Sequence, residues 1–260
     1  MEFAVTTSLA PWGARLGFCS WSVRPGSVIE LIDTAKQLEL TRLQLALDPL
    51  LGPGENWKEA VAQLHAAGIA TPSGMVGCVG EDYTTIQSIH ETGGVVPDAT
   101  WPASYANMRV LAPIAAAGGI KLITLHAGFI PEDAGDPVYA KVLERMRQVA
   151  DLFKTHGLGI SLETGQEAAA TLLRFFNDLQ RQNVGINFDP ANMLLYGSGD
   201  PIAALRLLGP HVRSCHIKDA VRSPAPGVWG SEVPVGTGQV DWREFFGLLD
   251  ELKFNGDLMI

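Results

Sequence analysis

Along this chain, short apolar runs rich in β-branched residues alternate with longer stretches whose apolar positions recur at helical spacing. "RLGFCSW" (15–21) predicts a first strand. Ser27 and Glu30 form a capping box that opens a helix with Val28, Leu31, Ile32 and Ala35 on one face. "TRLQLAL" (41–47) predicts a second strand, Asn56 and Glu59 the opening of a helix that ends at Gly68, and "IATPSGMVG" (69–77) a third strand. "IKLITLHAG" (120–128) is the fourth. Asp136-Pro137 then supplies an N-cap and a proline at the first helical position, for a helix running to His156-Gly157.

The pattern repeats in the second half. "LGISLET" (158–164), "VGINFDP" (184–190) and "VRSCHIKD" (212–219) read as strands. Thr164 and Glu167 cap a helix through Arg181, Asp200-Pro201 opens another, and Asp241 with Glu244 caps a third through Leu252. "GDLMI" at the end reads as an eighth strand. Strands alternating with helices build a parallel sheet. Seven βα units and an eighth strand predict an α/β fold, a single (β/α)8 TIM-barrel domain over 1–260, cut in or just after strand eight with its last helix missing. An open doubly wound sheet is the alternative, but no G-x-G-x-x-G follows the first strand. The connection 77–103 is long for a compact domain, with a short helix expected around Thr84 to His90; its aromatic and polar content suits an active-site lid.

Composition narrows the class. Hydrophobic residues make up 47% and charged residues 18%, which suits a folded core rather than disorder. The longest apolar run, Val110 to Ile120, contains Pro113 and falls short of the roughly 18 residues a membrane helix needs. The N-terminus lacks the basic and apolar regions of a signal peptide. Three cysteines without a C-x-x-C predict a reduced, cytoplasmic setting. A net charge of -9 disfavours a nucleic-acid partner but leaves room for a small anion held by a local cation.

The C-terminal ends of barrel strands carry the chemistry. There the fifth, sixth and seventh strands place Glu163, Asp189 and His216, 26 and 27 residues apart, so one βα unit separates each from the next. His126 ends the fourth strand. Acidic residues are rarely buried unless paired or metal-bound. The set suits one divalent ion, Mn²⁺, Co²⁺, Mg²⁺ or Zn²⁺. The alternative for each residue is a strand-end group capping a loop or helix.

"SLETGQE", "NFDPANML", "CHIKDA" and "VPVGTGQVDW", in this order and spacing, resemble the xylose isomerase-like barrel superfamily. Within it they are similar to the sugar phosphate isomerases/epimerases, near the ketose 3-epimerases. The resemblance implies a divalent metal held by Glu163, Asp189, His216 and a second Glu, expected just past Ile260. It further implies a sugar or polyol substrate and proton transfer through an enediolate, with Glu163 as one acid/base and the second Glu as the other.

Other candidates surround this set. Arg222 lies at the offset from His216 where the 3-epimerases bind substrate oxygens; a solvated loop arginine is the alternative. Lys218 shares a strand face with His216 by period two and would neutralise an enediolate or phosphate, unless it pairs with Asp219 or another carboxylate. Asn192 stands where the 3-epimerases have His, a departure that argues against a psicose or tagatose epimerase. His126 is a substrate or supporting group, or else a core histidine. Trp21 and Trp101 offer faces for a sugar, or fill the core. The Gly-rich "PVGTGQV" (234–240) offers backbone N–H groups to an anion.

Three other functions stay open. An inosose-type dehydratase would use the same metal and enolate chemistry. A non-catalytic polyol-binding barrel or an inactive fragment would lack the fourth ligand. An endonuclease IV-like phosphodiesterase needs more His and carboxylate ligands and a basic face than six His and this net charge suggest. No membrane partner is expected, and homo-oligomerisation is left open.

Overall fold

The structure is a computed structural model that describes residues 10–52, 57 and 59–260. Its strands are β1 (Leu16–Cys19), β2 (Arg42–Ala46), β3 (Ala70–Met75), β4 (Leu122–Leu125), β5 (Gly159–Glu163), β6 (Val184–Phe188), β7 (Val212–His216), β8 (Asp219–Val221), β9 (Ser231–Val233) and β10 (Asp257–Met259). Eight parallel strands close into a barrel in the order β1-β10-β7-β6-β5-β4-β3-β2, as the alternating pattern predicts. Strands β8 and β9 form a separate antiparallel hairpin. "GDLMI" closes the barrel: Leu16 pairs with Leu258 on one side and Met259 with His216 on the other.

The helices are α1 (Ala10–Gly13), α2 (Val28–Gln37), α3 (Ala60–Ala66), α4 (Ile86–Thr92), α5 (Trp101–Ala117), α6 (Pro137–Thr155), α7 (Ala169–Leu179), α8 (Pro190–Tyr196), α9 (Pro201–Leu208) and α10 (Trp242–Glu251). Ser27, Asp136, Asp200 and Asp241 cap α2, α6, α9 and α10 as expected, each side chain accepting a backbone N–H of the first turn. Asn56 lies outside the described residues. No helix among the described residues is long and apolar enough to cross a membrane. The three cysteines are buried and form no disulfide.

Two expectations are corrected. Helix α7 starts at Ala169, with Ala168 as an N-cap that makes no side-chain bond, so Thr164 and Glu167 do not cap it. Thr164 instead accepts the N–H of Asp189 at 2.8 Å and donates to its carbonyl at 3.2 Å, tying β5 to the end of β6. Trp101 is the first residue of α5 rather than part of a loop, and packs against Tyr105 and beneath Arg145. Helix α5 runs through Pro113; burial of Met108, Leu111, Ala112 and Ala115 outweighs the missing backbone bond. The remaining connection carries α4, opened by a capping box of Thr85 and Ser88.

Alternation along the strands divides the barrel into two layers. Leu43, Leu45, Ile123, Leu125, Ile160, Leu162, Ile186 and Phe188 belong to the apolar core. Between them stand Gln44, Thr124, Ser161, Asn187 and Ser214, all fully or almost fully buried. Because alternate residues of a strand share a face, these polar positions form one inward layer, and the next step up gives His126, Glu163, Asp189 and His216. Hydrogen bonds join the layer from strand to strand, Gln44 to Thr124 at 2.8 Å and Ser214 to Asn187 at 2.6 Å.

The hairpin after β7 is anchored by Asp219. Its carboxylate accepts N–H bonds from Ala220, Gly236, Gly238 and Val240 and from the Trp242 indole, at 2.9–3.1 Å. The Gly-rich turn does bind an anion, and that anion is the chain's own side chain. A Cβ on Gly238 would lie 2.2 Å from the carboxylate, so only glycine allows this approach. Burial alone would raise the Asp219 carboxyl, but the indole and the backbone N–H groups outweigh it and hold it below the usual range.

Asp219→Asn should therefore cost about 2–4 kcal/mol in denaturant unfolding at neutral pH, as charge-assisted bonds are replaced by weaker or missing ones. Because the folded carboxyl titrates below its unfolded value, its contribution is complete above about pH 4 and is lost as pH falls through the lower folded value. The variant should lack this part of the acid-side loss of stability.

Candidate metal centre

Glu163 ends β5, Asp189 follows β6 as the N-cap of α8, and His216 ends β7. All three are buried. One ligand atom from each lies within 4.8 Å of the others. His216 Nδ1 stands 3.3 Å from Glu163 Oε1 and 3.6 Å from Asp189 Oδ2. Glu163 Oε2 is buried without a hydrogen-bond partner, and Asp189 Oδ2 is buried against the Lys218 ammonium at 3.1 Å. Buried carboxylate oxygens, one of them unsatisfied, converging with an imidazole nitrogen fit a divalent cation, and the oxygen and nitrogen donors suit Mg²⁺, Mn²⁺, Co²⁺ or Zn²⁺.

Each ligand is oriented by a neighbour. Asn192 donates one amide N–H to Glu163 Oε1 at 2.8 Å and the other to the Thr164 carbonyl at 3.2 Å. A Cβ on Gly165 would lie 2.4 Å from the Asn192 Cβ, so glycine gives Asn192 its place. Asp189 Oδ1 accepts the Asn192 backbone N–H at 3.0 Å, which turns Oδ2 toward the centre. His216 Nε2 is 2.7 Å from Gln44 Oε1. Gln44 in turn donates to Thr124, which aims its oxygen at His216. That arrangement assigns a proton to Nε2 and leaves Nδ1 to face the two carboxylates.

Electrostatics follow from this crowding. Burial by itself would raise the Glu163 carboxyl, but His216, His126 and Lys218 outweigh it and hold it well below the usual range. Burial would lower His216, but the Glu163 carboxylate outweighs it and raises the imidazole well above its ordinary value. The Lys218 ammonium lies 3.1 Å from Asp189 Oδ2, 3.9 Å from Glu232, and donates to Asn192 Oδ1 at 2.6 Å. Its carboxylate partner is thus Asp189, not Asp219.

The centre lies in a cavity of about 1000 Å³. His126 lines it, with Nε2 3.6 Å from Glu163 Oε2 and Nδ1 buried and unpartnered. Trp21 stands edge-on to His216, in a turn after β1. Arg222 does not line the cavity: its guanidinium donates to the Gly199 carbonyl at 2.9 Å, because β8 turns the chain away after Asp219. Asn192 lines the cavity, but both of its amide protons are committed to the protein, which makes it part of the frame.

Asp48, Tyr196 and Trp229 also line the cavity and were not singled out in the sequence, and Glu81 and Tyr83 reach it from the long connection after β3; Gln44, also not singled out, supports His216 from the layer beneath. Gln44 carried a signal, as a polar residue flanked by leucines inside an apolar strand. Asp48 accepts the Gly77 N–H, and Glu81 accepts those of Cys78 and Gly94. Burial raises both carboxyls above the ordinary carboxylate value.

A family model described as xylose isomerase-like TIM barrel matches residues 27–260. A xylose isomerase domain protein from Planctomyces limnophilus is 35% identical, with a TM-score of 0.85 over 96% of this chain and 90% of that one. A xylose isomerase-like TIM-barrel protein from Mycobacterium smegmatis, solved in complex with magnesium, is 17% identical, with a TM-score of 0.71 over 97% and 90% of the two chains. D-psicose 3-epimerase from Clostridium cellulolyticum, solved with D-tagatose, is 18% identical, with a TM-score of 0.71 over 94% and 83%. At those lower identities the likeness is one of fold. Among curated proteins, YihM of Escherichia coli is 28% identical over 132 residues, half of this chain, and YfiH of Bacillus subtilis 32% over 96 residues, 30% of this chain. The matched stretches span only 40% and 30% of those relatives' own lengths.

Gln44→Leu removes the acceptor that orients His216. It should weaken Mn²⁺ binding, measured by calorimetric titration, about 10–100-fold. The His216 ring ¹⁵N shifts of the metal-free protein should change at the same time.

Proposed function

The chain belongs to the xylose isomerase-like TIM barrels, and on that premise we propose that it is a metal-dependent sugar isomerase or epimerase working through an enediolate. The observation that carries this reading is the Glu163 carboxylate. One oxygen is fixed by Asn192 and His216, and the other is buried and bare beside Asp189, His216 and His126. A divalent cation held by Glu163, Asp189 and His216 would stabilise the negative charge that develops on a substrate carbonyl oxygen.

The protein's own groups account for the rest. Glu163, kept ionised by its cationic neighbours, is the base for the C–H proton next to the carbonyl. The His126 ring lines the cavity beside Glu163 and helps position the substrate there. Lys218 balances Asp189, so that the two carboxylates remain charged side by side. The faces of Trp21, Tyr83, Tyr196 and Trp229 cover the C–H side of a sugar and exclude water. Loss of a hydroxyl after the same proton abstraction would make the protein a dehydratase. An endonuclease IV-like cluster is disfavoured, because among the described residues three groups converge rather than many.

Ketoses and inososes incubated with the Mn²⁺-loaded protein in D₂O should acquire solvent deuterium next to the carbonyl. Glu163→Gln should slow that exchange about 10²–10⁴-fold. Chelation should abolish it and added Mn²⁺ restore it. Exchange indifferent to Glu163→Gln would remove the reading, and a dehydrated product would identify the lyase.

A further inference from the structure

We propose that the cavity selects an uncharged polyhydroxy compound, a free ketose or cyclic polyol, and rejects its phosphate esters. The inference rests on the reading of this cavity as a sugar site and specifies the class of sugar.

Proteins recognise phosphate through Arg and Lys side chains, helix N-termini and nests of backbone N–H groups. Among the described residues each of these is missing from the cavity or already filled by a carboxylate of the chain. Lys218 is the one Lys or Arg lining it, and its ammonium is shared between Asp189, Asn192 and Glu232. Arg222 is directed at the Gly199 carbonyl outside. The Gly236, Gly238 and Val240 N–H groups after β7 close on Asp219. The helix that opens beside the centre, α8, begins with Asp189, whose own carboxylate takes the Asn192 N–H.

The groups left facing the cavity repel a phosphate. Asp48, Glu81 and Glu232 line it in addition to Glu163. A doubly charged group among these acids would meet like charges in a partly desolvated space. The same groups suit hydroxyls, because carboxylate oxygens accept O–H bonds, and the aromatic rings offer apolar faces to ring C–H groups.

The test compares binding of D-fructose, D-psicose and an inosose with binding of fructose 6-phosphate and inorganic phosphate, on the Mn²⁺-loaded chain, by saturation-transfer NMR and calorimetry. At least one free compound should bind ten or more times tighter than the ester, and phosphate should not displace it. Glu232→Lys, a charge reversal at the exposed rim, should narrow the ratio several-fold. An ester that binds as tightly as the free compounds, displacement by inorganic phosphate, or binding by neither class would overturn the proposal. Deuterium exchange is read separately. A free compound that binds without exchange removes the isomerase reading while the charge preference stands; exchange that runs equally on the ester does the reverse.

Discussion

Two carboxylates buried side by side cannot stand without positive charge between or beside them. Glu163 and Asp189 are such a pair, at the ends of neighbouring strands and shielded from water. Removing ions of like sign from water costs several kcal/mol each unless they are compensated. His216 and Lys218 supply part of that compensation from two directions. The barrel makes the arrangement possible, since eight parallel strands closed in register carry every second side chain to one axis. It also makes the arrangement rigid, since the layer beneath is a hydrogen-bonded set of Gln44, Thr124, Asn187 and Ser214.

Much of this was legible in the sequence because the barrel turns chain position into position on a rim. The regular spacing of Glu163, Asp189 and His216 is visible along the chain, as are the strand and helix order and four of the caps. The polar layer was legible in principle: Gln44 interrupts "TRLQLAL" where a residue packed outward against the helices would be apolar. Its partner was not, because Gln44 and His216 lie 172 residues apart and meet only when the barrel closes.

Where local rules failed, tertiary structure had a competing use for the residue. Thr164 and Glu167 satisfy the capping pattern, yet Thr164 spends its hydroxyl on the Asp189 backbone, and the helix starts later. Arg222 has the right distance from His216 along the chain, but β7 stops at His216 and the hairpin carries the chain off the barrel axis. Offset along a chain fixes direction only while the strand continues. Asn192 is the opposite case. It stands where a substrate-binding histidine would be expected, and its amide is consumed in joining Glu163, Thr164 and Lys218.

Asp219 shows how the same chain satisfies a buried acid when nothing else is required of it. Both of its oxygens are saturated by N–H donors, and a glycine-rich turn is folded tightly enough to deliver them. Glu163, in the same barrel, keeps Oε2 without a hydrogen-bond partner, and Asp189 Oδ2 is met by the Lys218 ammonium rather than by a neutral N–H. A fold able to satisfy one carboxylate five times over has the means to satisfy the others. The contrast leaves Glu163 Oε2 as the carboxylate oxygen that fits coordination by a group from outside the chain. The occupied turn marks a place where such a partner has no room.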